Sequence, residues 1–362
     1  MAFNVNVAAD VIASTLEGFQ HPKDPKEILQ HCANKPLLRK LMDAKIEFGS
    51  AGPASGTTTP ANVREPVMGA LMRDQPGSYA GIAGADVLTF KSSDGAIQTT
   101  CPVRWMHAGF QITHEELLYQ GVHVSKDNST KSTPDDRAIL FNALELKRAD
   151  YMESIMFNRE LTLLLDGLQD AKAIAGLQSI LSDDPTLAGA TTLGISRANI
   201  WWRHVARTGV GGALGKLAYS KADQTMTETI LHDVRTLRTY GGNPDNWIAG
   251  SDAIDALVRE ARAKGQNTVT GWADKKTNIE VAGIKIGTAE IEYCPLMDFQ
   301  GMSKTIFAWD STKLKLRPQK QEWGKVTNQN QPADQFVMLI STTDRGVLTC
   351  NQMDCNYKAV LA

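Results

Sequence analysis

The glycine-rich segment Gly209–Lys216, GVGGALGK, has the composition of a loop that binds the phosphates of a nucleotide. Such a loop has the pattern G-x-x-x-x-G-K-[ST], in which the final Ser or Thr holds magnesium. Here Val210 occupies the position of the first glycine, and Leu217 occupies that of the Ser or Thr. Leu214 likewise replaces the last glycine of the dinucleotide-binding pattern G-x-G-x-x-G. The segment therefore predicts a flexible turn rather than a nucleotide site.

The residue types used by hydrolases and metal sites are present without the spacing that these sites need. The chain contains no G-x-S-x-G nucleophile motif, and His114 with Glu115 lacks the second histidine of H-E-x-x-H. Cys350 and Cys355 lack the C-x-x-C spacing and a second pair, so we expect them to be small apolar residues in a strand. The sequence predicts no catalytic residue, no cofactor and no metal.

Composition and charge describe an ordinary folded protein. The chain has 362 residues, 42% of them hydrophobic and 22% charged, which is enough for two packed units or one large one. The formal net charge of −2 provides no field that would attract nucleic acid or an acidic membrane. The sequence shows no membrane-spanning stretch and no secretory signal, so we expect the protein to stay in the cytoplasm where it is made. Five cysteines, an odd number, argue against a disulfide framework.

The elements that would position any site begin with a helix over Pro25–Phe48, which carries an apolar stripe that includes Leu37, Leu38 and Leu41. A linker rich in Gly, Pro, Ser and Thr follows over Gly49–Asn62. A second, longer helix is expected from Pro134 to Asp166, ending at a glycine and apolar on two sides, so that it should be covered from two sides.

Between the linker and the long helix, Val87–Met106 has the pattern of a β-hairpin. Two alternating stretches flank Ser93-Asp94-Gly95-Ala96, and Asp-Gly is a strong signal for a tight turn. The surrounding chain offers this ribbon little support, and an isolated hairpin is marginally stable in water. The sequence therefore predicts that the ribbon either folds back on its own domain or packs against a neighbouring molecule.

The second half of the chain mixes helices and strands. Helices are predicted over Asp223–Tyr240 and Asp252–Lys264, with a short buried strand, NWIAGS, between them. After a polar loop, strands dominate to the end: IEVAGIKIG, EIEYCP, TIFAWD, KLKLRP, QFVMLIST and GVLTCN. This order predicts an α+β fold.

The segment Gly176–Arg203, GLQSILSDDPTLAGATTLGISRANIWWR, resembles one typical of the major capsid proteins of tailed bacteriophages. The order of parts around it is similar to the Hong Kong 97 fold across nearly the whole chain. The resemblance implies an N-terminal arm over 1–66, an extended loop with a β-hairpin over 67–130, and a peripheral domain with a spine helix over 131–220. It also implies an axial domain over 221–298 and strands over 299–362 that return to the peripheral domain.

The resemblance further implies a structural protein of the virion, assembled in the host cytoplasm into an icosahedral shell around double-stranded DNA. Its partners would be many copies of itself in pentamers and hexamers, a separate scaffolding protein and a portal, with weak non-specific contact to DNA and no membrane contact. Residues expected to touch neighbouring subunits are Phe90, Lys91, Ile97, Val103, Arg104, Trp105 and Trp272.

Some members of the family cross-link a lysine of the extended loop to an asparagine of a neighbour with the help of a glutamate. Here Lys91 and either Asn351 or Asn356 could react, but no glutamate follows Glu322, so we expect a shell without cross-links. Two other interpretations stay open at this point. The chain could build an encapsulin-like compartment of the same fold, or it could be an enzyme whose site is assembled from distant residues.

Overall fold

The structure is a computed structural model, and it describes residues 35–48, 62–67, 97–113, 151–170, 172–187, 189–220, 225–239, 241–263, 284–286, 289–329 and 337–362. Its helices are α1 (Pro36–Asp43), α2 (151–164), α3 (Leu177–Ile180), α4 (Thr225–Thr239), α5 (Ser251–Ala263) and α6 (Pro295–Phe299), with a 3₁₀ turn over Ile200–Trp202. The first seven strands are β1 (Asn62–Pro66), β2 (Gln98–Pro102), β3 (Arg104–Thr113), β4 (Thr191–Thr192), β5 (Ile195–Ser196), β6 (Val205–Arg207) and β7 (Asn246–Ala249). The remaining strands are β8 (Ile284–Ile286), β9 (Ala289–Tyr293), β10 (Thr305–Trp309), β11 (Leu314–Pro318), β12 (Lys325–Gln329), β13 (Val337–Cys350) and β14 (Tyr357–Val360).

A six-stranded mixed sheet in the order β6-β14-β10-β7-β9-β8 separates two hydrophobic clusters. Neighbouring residues of β7 and β10 point to opposite faces, as the pleat requires. Ile248 and Phe307 join the cluster that contains α1 and α2, whereas Trp247 and Ile306 join the cluster that contains α4 and α5. All four side chains are at most 1% exposed. The predicted buried strand NWIAGS is therefore confirmed as β7, in the middle of the sheet.

The second sheet has four strands and is organised by β13, which is 14 residues long. β3 pairs along one edge of β13, while β11 and β12 pair one after the other along its opposite edge. The two stretches QFVMLIST and GVLTCN, predicted as separate strands, are thus parts of one strand. The polar residues between them do not interrupt the strand because Asp344 accepts hydrogen bonds from Arg159 and from the backbone N–H of Gly324.

Helix α1 is shorter at its end than the sequence indicates. Leu37, Leu38 and Leu41 are fully buried, as the apolar stripe predicts. The helix ends at Asp43 instead of Phe48, because the following residues extend alongside β11 and the N–H of Ile46 donates to the carbonyl of Leu316 at 3.0 Å. Backbone pairing with the sheet replaces the last turn of the predicted helix.

Helix α2 lies within the predicted long helix, whose first part, 134–150, is outside the described residues. The chain leaves the helix after residue 164 and turns at Gly167, where φ is +80°. Tyr151 and Ile155 are buried against the protein, but Phe157 on another face is 39% exposed. Leu164, on the same predicted face as Phe157, is fully buried, so the described part of this face is partly covered within the chain.

The predicted hairpin segment is integrated into its own chain more closely than expected. Its turn and first strand, Val87–Ala96, lie outside the described residues. β2 pairs antiparallel with β1, and β3 pairs with β13. Thr99 and Cys101 are fully buried, because the β1–β2 ribbon packs on the second sheet. For its second half, the structure therefore shows the first of the two predicted alternatives, pairing within its own chain.

The segment Gly209–Lys216, predicted as a flexible turn, is held by several hydrogen bonds. The N–H of Gly209 donates to the carbonyl of Leu214, and the N–H of Gly212 donates to Thr186 Oγ1, both at 3.0 Å. A Cβ at Gly211 would lie 1.9 Å from the Asp184 carboxylate, so glycine is required by close packing. The glycines of this segment allow it to pack closely against the loop that contains Asp184 and Thr186.

Candidate inter-subunit surface

The predicted contact residues fall into three groups in the structure. Phe90, Lys91 and Trp272 lie outside the described residues. Ile97 is partly buried against the hydrophobic cluster of its own chain, so its described contacts are internal. Val103, Arg104 and Trp105 occupy the step from β2 to β3, where the first two are half-buried and Trp105 is 51% exposed.

Trp105 is the large exposed side chain at the start of β3, and it is paired across the sheet with Arg345 of β13. The Arg345 guanidinium carbon lies 4.6 Å from the centre of the Trp105 ring, a cation–π distance. The sequence offered no signal for Arg345, because T-T-D-R-G looks like a connection between two strands. Only the register of β3 against β13 brings the two side chains together.

On the same face of the four-stranded sheet as Arg345, a buried polar network attaches the β1–β2 ribbon to the sheet. Glu65 is 6% exposed and forms an ion pair with Arg317 of β11. The hydroxyl of Thr349 donates to Glu65 Oε1 at 2.9 Å, and the Glu65 N–H donates to Thr99 Oγ1 at 3.3 Å. A carboxylate buried with a charged partner and a hydroxyl donor holds the ribbon in one position.

The opposite face of the same sheet is attached to α2. Arg159 donates to both oxygens of Asp344 at 2.6 and 2.7 Å, and its guanidinium lies 5.5 Å from the Trp323 ring centre. The Tyr151 hydroxyl donates to Thr342 Oγ1 at 2.9 Å. These contacts fix the angle between α2 and the sheet. Asp344 and Arg345 are neighbours in β13, so one faces the chain's own helix and the other faces outward.

A third junction joins α1 to α2 and to the end of β9. The side chain of Lys35 at the start of α1 has no role as a cap, and Glu160 of α2 takes this role by accepting the Leu37 N–H at 3.2 Å. Burial raises the pKa of Glu160 to about 7, against the opposing effect of hydrogen bonds that stabilise its charge. The adjacent thiol of Cys294, 3.6 Å away, is also buried, and burial raises its pKa to about 12.

The remaining buried titratable groups serve packing as well. Burial lowers the pKa of His204 to about 4, and its Nε2 lies 2.9 Å from the carbonyl of Ser182. Cys350 and Cys355 are fully buried, the first in β13 and the second in the turn that follows, and burial raises the pKa of both thiols. Within the described part of the chain, no group of His, Cys, Asp and Glu could hold a metal ion. No described helix is long and apolar enough to cross a membrane.

The architecture matches that of a phage capsid structure. The chain is similar to a chain of the Cyanophage A-1(L) capsid asymmetric unit, with a TM-score of 0.52, 15% sequence identity, and coverage of 78% of this chain and 85% of that chain. The predicted fold is confirmed. It is an α+β fold of the Hong Kong 97 capsid type. The division into arm, extended loop, peripheral and axial domains stays a prediction.

Two further solved structures share a weaker likeness. They are Mycobacterium phage Adephagia (TM-score 0.46, 10% identity, 89% of this chain and 90% of that chain) and the capsid of an empty GTA particle (TM-score 0.49, 10% identity, 89% of both chains). No protein-family model matches the sequence, and no curated protein matches it.

Several exposed apolar residues were not anticipated from the sequence as surface features. Phe299 of α6 is 76% exposed and packs edge-on against Phe157 of α2, with ring centres 6.2 Å apart. The ordered loop at Gly209–Lys216 presents Val210 and Leu214, each 49% exposed. A helix or strand period cannot reveal such residues, because the loops that carry them are placed by long-range packing.

Proposed function

We propose that this protein is a major capsid protein, whose copies assemble as pentamers and hexamers into an icosahedral shell around phage double-stranded DNA. The observation that carries the proposal is the capsid fold, which is shared over 78% of this chain with a phage capsid subunit. Proteins with one fold can differ in function. The proposal therefore also has to explain features of this chain itself.

Exposed apolar side chains on rigidly held elements are one such feature. Trp105, Phe157, Phe299 and Leu214 are each more than a third exposed, and each lies on an element fixed by described contacts. Isolated exposed apolar residues are ordinary, but aromatic residues at interfaces account for much of the binding energy between proteins. A subunit surrounded by copies of itself would bury such residues on several sides.

The role proposed for the chain is structural, without a reaction of its own. The buried carboxylates Glu65, Asp233 and Asp344 are each paired with an arginine, an arrangement that stabilises the fold. The expected partners are further copies of the chain, a separate scaffolding protein and a portal, with DNA held by weak non-specific contacts. The expected location is the virion, after assembly in the host cytoplasm.

Assembly of the purified protein tests the proposal. The chain, expressed alone and with a scaffolding protein encoded beside it, should sediment as rings of five or six subunits or as closed shells visible by electron microscopy. Particles isolated from infected cells should protect double-stranded DNA from nuclease. A protein that stays monomeric at every concentration and salt, with and without the scaffold, would contradict the proposal. Particles that enclose an enzyme instead of DNA would point to a cargo compartment.

A further inference from the structure

The outward face of β13 carries a cation without a described polar partner. Arg345 forms no ion pair and no side-chain hydrogen bond with any residue that the structure describes, and its Nε–H is buried without an acceptor. Its described side-chain contact is the ring of Trp105, whose other side is open to solvent. Buried N–H groups nearly always have an acceptor, so the Arg345 side chain is incompletely paired among the described residues.

The charges around Arg345 leave it without a carboxylate. Asp344, the next residue, points to the opposite face and is occupied by Arg159 and Gly324. On the outward face, Lys325 of β12 is paired with Glu322 at 2.8 Å, so that pair is neutral. Arg345, like Lys315 of β11, thus lacks a counterion among the described residues of this face, whereas Arg317 is paired with Glu65.

We propose that the Trp105–Arg345 pair is a docking point for a carboxylate of a neighbouring copy of this chain. The guanidinium would bind the carboxylate, and the apolar part of the incoming segment would cover the exposed side of the Trp105 ring. The proposal rests on the proposed function, which places further copies of the chain against its exposed faces. It adds the residues that bind and the chemistry of the group that they bind.

A protein carboxylate fits this surface better than a DNA phosphate. Binding along DNA depends on several cations spaced along the backbone, and on this face Lys325 and Arg317 are already paired with Glu322 and Glu65. Copies of the same chain supply carboxylates, since the sequence contains 40 Asp and Glu residues against 38 Lys and Arg.

The first experiment compares Arg345→Gln with Arg235→Gln, which removes the same charge from an exposed position on α4. Both variants should fold and melt like the wild type, because Arg345 makes no described ion pair. Assembly by Arg345→Gln should need at least about thirtyfold more protein, whereas Arg235→Gln should assemble normally. Trp105→Ala should weaken assembly in the same direction. If Arg345→Gln builds shells as the wild type does, the proposal is overturned while the proposed function stands.

The second experiment identifies the partner group. Arg345→Lys places a primary amine at this position, and a carbodiimide joins amines to carboxylates that touch them. In particles assembled from a mixture of ¹⁴N- and ¹⁵N-labelled subunits, mass spectrometry should find a mixed-label peptide that links position 345 to an Asp or Glu. A link confined to one chain, or no link, would overturn the proposal. Variants at position 345 that form normal shells but retain less DNA would assign the site to nucleic acid instead.

Discussion

The ion pair between Arg159 and Asp344 allows a direct test of how the sheet is attached to α2. Both side chains are nearly buried, 13% and 9% exposed, and two hydrogen bonds of 2.6 and 2.7 Å join them. Removing one partner leaves the other charge buried without compensation, which costs about 3–5 kcal/mol. Asp344→Asn and Arg159→Met should each lose about 3 kcal/mol, the lower end, because the remaining group keeps one neighbour, either Gly324 or Trp323.

The double variant Arg159→Met with Asp344→Asn should regain most of that loss. It contains no buried charge, and the asparagine oxygen can still accept the Gly324 N–H, so its total loss should be about 1 kcal/mol. For a chain of 362 residues, 1 kcal/mol corresponds to about 1–2 °C in melting temperature. Calorimetry on all four proteins in the same assembly state measures these shifts. If the two single losses simply add in the double variant, the pair is not coupled and the reasoning is refuted.

Three further outcomes follow from buried side chains. Burial raises the pKa of Glu160 from 4.5 to about 7 in the folded protein, so its contribution to the free energy of unfolding is fully present below pH 4.5 and is lost as pH rises through about 7. The free energy of unfolding should therefore fall by about 3 kcal/mol by about pH 8. Glu160→Gln should remove this fall. Because the pKa of His204 is lowered from 6.5 to about 4, denaturant titrations should show a loss of about 3 kcal/mol as pH falls across that window, and His204→Gln should not show it. Mature particles boiled in detergent should release a single band near 39.5 kDa. Asn356, one of the two asparagines that Lys91 could cross-link to, is fully buried, and its side-chain amide donates to the Gln352 carbonyl at 3.0 Å. A ladder of bands that survives reducing agent would show cross-linking.

Elements with strong local signals were predictable from the sequence. α4 and α5 begin and end within two residues of their predicted bounds, because acidic first turns and terminal glycines mark them locally. β10, β11 and β9 coincide with apolar or alternating stretches. The fold class followed from the order of these elements together with the resemblance in Gly176–Arg203.

Elements defined by long-range pairing were not predictable. β1, NVREP, has a charged and unremarkable sequence, and it is a strand because β2 pairs with it and Arg317 neutralises Glu65. The end of α1 is decided by hydrogen bonds to β11 rather than by helix propensity. Periodicity describes what a segment can bury, but it does not name the partner that buries it.

The candidate surface shows the same division between local and long-range information. Trp105 was among the residues predicted from the sequence to touch neighbouring subunits. Arg345 was not, because its position beside Trp105 depends on the register between β3 and β13. Phe157 is 39% exposed, and its described aromatic contact is Phe299 of α6, which the helix pattern alone does not indicate.

The two faces of β13 connect the proposed contact between subunits to the frame of a single subunit. The six-stranded sheet is covered on both faces by apolar clusters, and it combines β7 with β10 and β14, strands from regions predicted as separate domains. This sheet has no open face for a neighbour to use along β7 and β10. The four-stranded sheet differs, since Asp344 binds α2 on one side while the half-buried Arg345 lies beside the exposed ring of Trp105 on the other. A neighbour's carboxylate bound at Arg345 would therefore lie one peptide unit from the ion pair between Asp344 and α2. The position of the neighbouring subunit would then be fixed relative to α2.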